Sequence, residues 1–143
     1  MPKEISISHL VKSEDLNHHG TLFAGRMAEW LVEGCFIAAS KLVGKPEDVV
    51  CVQIHGMTFH RSATKGDIVE LRTKVACLGS KSITVWGKVL VNESAEPAVT
   101  GMATFVTVDK HGKPYAHGLS LSEEYIQQNM EIYELAMRMK TRN

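Results

Sequence analysis

Cysteine is scarce in this chain of 143 residues, and neither sign of charge is in excess. The three cysteines, Cys35, Cys51 and Cys77, are far apart and lie in apolar runs. This pattern predicts small buried hydrophobic residues in a reducing compartment, not disulfides or metal ligands. Sixteen basic and sixteen acidic residues cancel, so overall charge gives no support for a nucleic-acid partner. An anionic ligand would have to be held by local Lys or Arg side chains.

Targeting signals and long apolar runs are also missing. The first residues, MPKEISISHLVKSEDLN, lack the apolar core of a signal peptide, and no run approaches ~18 apolar residues. The metal-binding spacings HxxxH, HExxH and CxxC do not occur, and neither does the nucleophile context GxSxG. We therefore expect a soluble, cytoplasmic protein with no metal site, no membrane association, no cofactor of its own and no covalent serine mechanism.

What the chain does have is the composition of a globular protein, with 44% apolar and 22% charged residues. It contains no internal repeat, so we expect one domain over residues 1–143. The run from Ala24 to Leu42 predicts a helix that ends at Gly44 and Pro46. Because this helix is apolar almost all round, it should be buried. Its polar residues form one narrow strip: Arg26, Glu29 and Glu33.

Five further segments read as strands. ISISHLV comes first, and VVCVQIHGMTFHR, DIVELRTKVACL, ITVWGKVLV and AVTGMATFVTVD follow the helix. Their short connections predict antiparallel hairpins. A C-terminal helix is expected over residues 119–143, with Ser120 and Glu123 as a capping box and a stripe that packs on its own sheet or on a neighbouring subunit. The predicted fold is α+β, a five-stranded antiparallel sheet wrapped around one helix, with an extra C-terminal helix.

Two stretches match a known family pattern. DLNHHGTLFAGRMAEWL is similar to D-x-N-x-x-G-x-x-F-G-G followed by a helix, and VQIHGMTFHRSATKGDIV is similar to V-x-G-M-x-F-x-R-P-x-x-x-G-D-x-V. With these motifs the chain resembles the hotdog-fold acyl-CoA thioesterases, in particular the bacterial short- and medium-chain acyl-CoA hydrolases. The resemblance implies hydrolysis of an acyl-CoA to a free acid and CoA. It also implies a homodimer, often assembled further into a tetramer or hexamer.

The resemblance also implies roles for individual residues. Thioester hydrolysis needs a water activated by a general base and donors for the developing oxyanion. Asn17 would hold the water or the carbonyl across the subunit boundary. Ala24 and Gly25, at the helix start, would form the oxyanion position, because the first N–H groups of a helix are unpaired. Phe23 is implied beside the substrate.

CoA contacts follow from the same resemblance. Arg61, at the F-x-R position, is implied as a phosphate contact. The turn GSKS, with Lys81 and Ser82, is similar to the family loop that lies along the nucleotide and pantetheine. The length and type of the acyl chain are not readable from the sequence.

The catalytic acid departs from the family pattern. That family carries an Asp or Glu seven residues beyond the second glycine, and this position is Val32. Glu33 is the nearest carboxylate, about 100° further around a regular helix. Either Glu33 acts as general base on a locally shifted helix, or another base is used, or hydrolysis is impaired. Alternatively, Glu33 and Glu29 pair with Arg26 on an exposed strip.

Two other functions stay open. His19 and Glu33 have the spacing of the His/Glu pair of the hydroxyacyl-carrier-protein dehydratases, so an acyl thioester hydratase or dehydratase is one alternative. A non-catalytic acyl-CoA-binding hotdog protein is the other, favoured by Val32. His55 and His60 should point to opposite faces of a strand and cannot chelate one metal. His55 is expected beside the helix.

Overall fold

The computed structural model describes residues 1–141, and its main feature is one antiparallel sheet around one long helix. The strands are β1 (Ile5–Leu10), β2 (Val49–Phe59), β3 (Ile68–Leu78), β4 (Ser82–Val91) and β5 (Val99–Thr107), and the helices are α1 (Ala24–Val43), α2 (Glu123–Gln128) and α3 (Met130–Thr141). The strands pair in the order β1-β3-β4-β5-β2. The α+β class, the five strands and the central helix are therefore confirmed. No helix in the described part of the chain is long and apolar enough to span a membrane.

Helix α1 lies on the inner face of the sheet and ends where the sequence predicts. Gly44 caps it in the left-handed conformation, with φ 81° and its N–H donating to the Ser40 carbonyl. Leu31 is fully buried, and the sheet makes room for it with glycine. A Cβ added at Gly87 of β4 would lie 2.7 Å from Leu31 Cδ1. The helix therefore packs directly onto the strand backbone.

The connection between β2 and β3 is not the hairpin that the sequence predicts. Strand β2 pairs with β5 at one edge, and β3 lies three strands away. Eight residues, 60–67, make this crossing. They span at most ~26–29 Å when extended, whereas three strand spacings are only about 14 Å. The connection is long enough for either pairing, so its length alone does not select a hairpin.

The C-terminal helix also differs from the prediction. It begins at Glu123, after Ser122, whose side chain accepts from the Tyr125 N–H at 3.1 Å. The expected capping box of Ser120 and Glu123 is therefore not formed. A break at Asn129 divides the segment into α2 and α3. As predicted, α3 packs on the outer face of its own sheet, where Ala136 is fully buried. Residues 142–143 of the predicted helix lie outside the described residues.

The cysteine prediction is right for two residues and wrong for the third. Cys35 and Cys77 are buried and Cys51 is exposed, and all three are free thiols. Burial raises the pKa of the Cys35 thiol to about 12. Cys51 lies on β2, and because β2 is an edge strand, nothing within the described chain covers that side. Apolar flanking residues did not distinguish an edge strand from a central one.

The loop between β1 and α1 is fastened to the first helical turn by Asp15. This residue is 4% exposed. One carboxylate oxygen accepts the Lys12 N–H at 2.9 Å, and the other lies 3.2 Å from Arg26 Nε. The Phe23 N–H donates to the Asp15 carbonyl at 2.9 Å. These contacts hold residues 12–16 against the start of α1, which is where Asn17 begins the next turn.

We predict that Asp15→Asn lowers the free energy of unfolding by about 1–3 kcal/mol. The substitution removes the negative charge that pairs with Arg26 but keeps the size of the side chain. Urea unfolding measures this change. Glu14→Gln is the matched control, since Glu14 is the adjacent acidic residue and is exposed. Equal midpoints for the two variants would contradict the anchoring role of Asp15.

Candidate active site at the start of the central helix

A pocket of about 330 Å³ opens at the N-terminal end of α1. Its walls are the loop before the helix, the first helical turn, the segment that follows β2 and the start of β5. Of the residues predicted for the site, the structure brings three together here. The lining side chains are Asn17, Thr21, Leu22, Ala24, Met27, Phe59, His60, Arg61, Ser62, Ala63 and Val99.

The Asn17 side chain forms a closed turn with residues 19–21. Its Oδ1 accepts the N–H groups of His19 at 2.8 Å and Thr21 at 3.1 Å. Its Nδ2 donates to Thr21 Oγ1 at 3.0 Å. Two backbone donors on one atom identify that atom as the oxygen. Within residues 1–141 the second Nδ2 hydrogen meets no acceptor, so this side chain offers the pocket a donor.

The first turn of α1 offers further donors. Met27 is the first residue whose N–H bonds within the helix, to the Phe23 carbonyl at 3.1 Å. The N–H groups of Ala24 and Gly25 precede it and have no intrahelical acceptor. The Phe23 ring covers Gly25, since an added Cβ there would meet Phe23 Cε2 at 2.5 Å. A side chain at position 25 would therefore displace the Phe23 ring, and Ala24 lines the pocket.

Neither Val32 nor Glu33 lines this pocket. Trp30 stacks on His9 of β1 at 4.2 Å, so that flank of α1 faces the β1 side. Val32 is about 200° around the helix from Trp30, so it lies on the opposite flank of α1, and it is partly buried. Glu33 is exposed and forms no ion pair within the described chain. Of the expected surface strip, only Glu29 pairs with Arg26, at 3.6 Å.

The predicted CoA contacts are divided between the two ends of the sheet. Arg61 is at the pocket, exposed, and its Nη2 donates to the Glu96 carbonyl. Lys81 and Ser82 are at the other end of β4. Ser82 pairs with Val106, whereas the pocket residue Val99 pairs with Val89. Seven residues of strand separate Ser82 from Val89, about 23 Å. One subunit therefore does not bring Lys81 to its own pocket.

The histidines fall into separate environments. His60 lines the pocket. His55 lies on the outer face of the sheet, against Thr104 Oγ1 at 2.6 Å, and burial lowers its pKa. It is therefore not beside α1 as expected, because its neighbour Ile54 pairs with the inward-facing Ala103 and alternation along the strand turns His55 outward. His18 and His19 are neighbours in the exposed turn. The structure does not bring His19 and Glu33 together, and no metal-binding cluster occurs in residues 1–141.

Sequence reasoning missed several pocket residues. His60, Ser62 and Thr21 were not assigned any role in the site. Their only signal was adjacency to Arg61 or Asn17, which is weak because neighbours on an extended segment normally face opposite sides. Here the crossing segment leaves the strand pattern, so His60, Arg61 and Ser62 all reach one pocket.

Comparisons with known proteins agree with this architecture. Curated relatives include the acyl-CoA thioester hydrolase YciA of Salmonella typhimurium, 30% identical over 119 residues, which are 78% of this chain and 87% of the relative. YkhA of Bacillus subtilis, an uncharacterized acyl-CoA thioester hydrolase, is 30% identical over 70% of this chain. That match spans 59% of the length of YkhA.

Solved structures show the same fold. A hexameric acyl-CoA thioesterase superposes with a TM-score of 0.83 at 28% identity, covering 97% of this chain and 89% of the other. An acyl-CoA hydrolase from Staphylococcus aureus, in complex with butyryl coenzyme A and coenzyme A, gives 0.80 at 25% identity over 97% and 82%. The sequence pattern of the thioesterase superfamily matches residues 19–98. The chain therefore belongs to the thioesterase superfamily and has the hotdog fold of its acyl-CoA thioesterases.

Proposed function

We propose that this protein is an acyl-CoA thioesterase, which hydrolyses an acyl-CoA to the free acid and CoA. The observation that carries the proposal is one pocket lined both by Ala24, whose N–H has no intrahelical acceptor, and by the Asn17 amide. Donors directed at one point stabilise the charge that develops on a carbonyl oxygen during acyl transfer. The named activities of the relatives support the substrate class.

Asn17 acts as a donor to the thioester carbonyl in this proposal. Its Oδ1 already accepts two backbone N–H groups, so a water molecule would have to compete with both. Within residues 1–141, one of the two Nδ2 hydrogens has no acceptor and is available to the substrate. Together with the start of α1, this makes an oxyanion site of one side-chain donor and helix N–H groups, with the partial positive charge of the helix end behind them.

CoA is held by local cations, since the chain has no net charge. Arg61 stands at the rim of the pocket and contacts a phosphate with the nitrogens that do not bond Glu96. If Lys81 and Ser82 contact the nucleotide or pantetheine, they do so from a neighbouring subunit, because they lie at the other end of the sheet. Phe23 lies beside the pocket, 55% exposed, and packs against the substrate or a partner.

The protein acts as a homodimer joined along β2, and a hexamer of three such dimers is the assembly that the related structures favour. Strand β2 is a long unpaired edge, and such edges are normally shielded. Its side chains Val52 and Ile54 are apolar and 56% and 51% exposed. Pairing there places the partner beside the flank of α1 that carries Val32. A cytoplasmic location, supported by the three free thiols, completes the proposal.

A panel of acyl-CoAs, incubated with the protein and a thiol reagent, tests the function directly. Release of CoA thiol from at least one of them supports hydrolysis. Calorimetric binding with no thiol release would instead support the non-catalytic binding protein. Hydration of an enoyl-CoA has no supporting observation, because His19 and Glu33 are both outside the pocket.

Asn17→Asp should lower kcat by about 10²–10³-fold, because a carboxylate keeps the turn but removes the donor to the oxyanion. CoA affinity, measured by calorimetry, should stay unchanged. Gln127→Glu is the matched control, an exposed amide changed to a carboxylate on α2. Unchanged kcat in Asn17→Asp would remove Asn17 from the mechanism.

Glu33→Ala should retain turnover within about twofold, since its side chain is exposed on the far side of the helix from the pocket. Removal of a general base normally costs about 10²–10⁴-fold. Steady-state hydrolysis of the best acyl-CoA measures the difference. A loss of tenfold or more would assign Glu33 the role of base that the family resemblance implies.

Val52→Lys should convert the dimer to monomers, because a charged side chain on an edge strand opposes strand pairing. Light scattering after size-exclusion chromatography measures the mass, and circular dichroism checks the fold. Met137→Lys is the control, since Met137 is exposed and apolar but lies on α3. An unchanged mass for Val52→Lys would place the interface elsewhere.

A further inference from the structure

The pocket contains no carboxylate. Its lining residues include hydroxyls, an amide and one guanidinium, and His60 carries the one imidazole ring among them, the side chain most often used as a general base. The position at which the family carries its acid is Val32, and Glu33 is exposed elsewhere on the helix. A hydrolase built on this pocket still needs a group that takes a proton from water.

The backbone of His60 is fixed at the end of β2. Its N–H donates to the Ala98 carbonyl at 2.7 Å, which ties the residue to the start of β5. The side chain is exposed, and its ring forms no hydrogen bond with any residue of the described chain. The Cα of His60 is therefore held in place, and both ring nitrogens are accessible to water.

Two backbone contacts bring His60 to the same pocket as the oxyanion donors. The Leu22 N–H donates to the Ala63 carbonyl at 2.8 Å, and Thr21 bridges to Thr64. The segment after β2 thus runs beside the loop that carries Asn17. His60 and Asn17 line different walls of the pocket, with the start of α1 as a third.

We propose that His60 is the general base that activates the hydrolytic water, in place of the carboxylate missing at Val32. This inference rests on the thioesterase function proposed above. The water oxygen bonds to the thioester carbonyl carbon, and the carbonyl electrons move to the oxygen held by Asn17 and Ala24. One water proton passes to a ring nitrogen of His60. The tetrahedral intermediate then breaks its C–S bond, and the imidazolium returns the proton to the departing CoA thiolate.

Two charged side chains lie near His60. Arg61 follows it in sequence, and Glu96, on the loop between β4 and β5, lines a second pocket that His60 and Arg61 also line. Neither the Glu96 carboxylate nor the Arg61 guanidinium forms a hydrogen bond with the His60 ring, so its nitrogens stay accessible to water.

Replacement of His60 tests the inference. His60→Gln should lower kcat by about 10²–10⁴-fold, with CoA affinity unchanged, and should abolish the low-pH limb of the kcat/KM profile. His60→Ala should regain turnover when free imidazole is added, whereas Asn17→Asp should not. His111→Gln is the matched control, a histidine in the exposed turn after β5. Circular dichroism confirms that each variant is folded.

The outcomes separate the two proposals. If the unaltered protein releases no thiol from any acyl-CoA, the thioesterase function fails, and His60 as base fails with it. If the unaltered protein turns over and His60→Gln keeps its rate and pH profile, only the inference fails. Lost activity in His60→Ala with no rescue by imidazole would also overturn the role of His60 as base.

Discussion

Close packing of α1 on the sheet is the constraint on which the rest of the structure depends. Leu31 fits against the strand backbone because Gly87 leaves no Cβ in its way. On the next turn of the helix, Thr73 Oγ1 donates to the Gly34 carbonyl at 2.8 Å. A helix seated at this distance cannot slide or rotate without losing these contacts. Its N-terminal N–H groups are therefore held at one place beside the crossing segment.

The site assembles around that helix end from parts that contribute different chemistry. Asp15 is buried and fastens the preceding loop to Arg26, while Asn17 closes the turn through its own side chain. The result is a donor-rich pocket at the positive end of a helix, free of carboxylates. Such a pocket suits a polarised carbonyl and a bound anion, and it is poorly suited to a cation. These properties of the pocket agree with the binding of a CoA thioester.

Features that depend on a few neighbouring residues were predicted well. The limits of α1 and its glycine cap follow from local rules, and alternation or β-rich composition located all five strands. Predictions that required knowledge of distant partners failed. The β2 to β3 connection was taken for a hairpin, Cys51 for a buried residue and the C-terminal segment for one continuous helix. In each case the answer depends on what lies across the sheet or beside the edge, which no local pattern contains.

By itself, the sequence determined the α+β class and the buried helix. Its motifs also indicated the family and pointed to Asn17, Ala24 and Arg61 as site residues. Tertiary structure decided which residues share the pocket: it added His60, left Glu33 outside and put Lys81 at the far end of the sheet. The physical reason is the crossing of residues 60–67 under the start of α1. That crossing is held by backbone hydrogen bonds between segments some forty residues apart, such as Leu22 to Ala63.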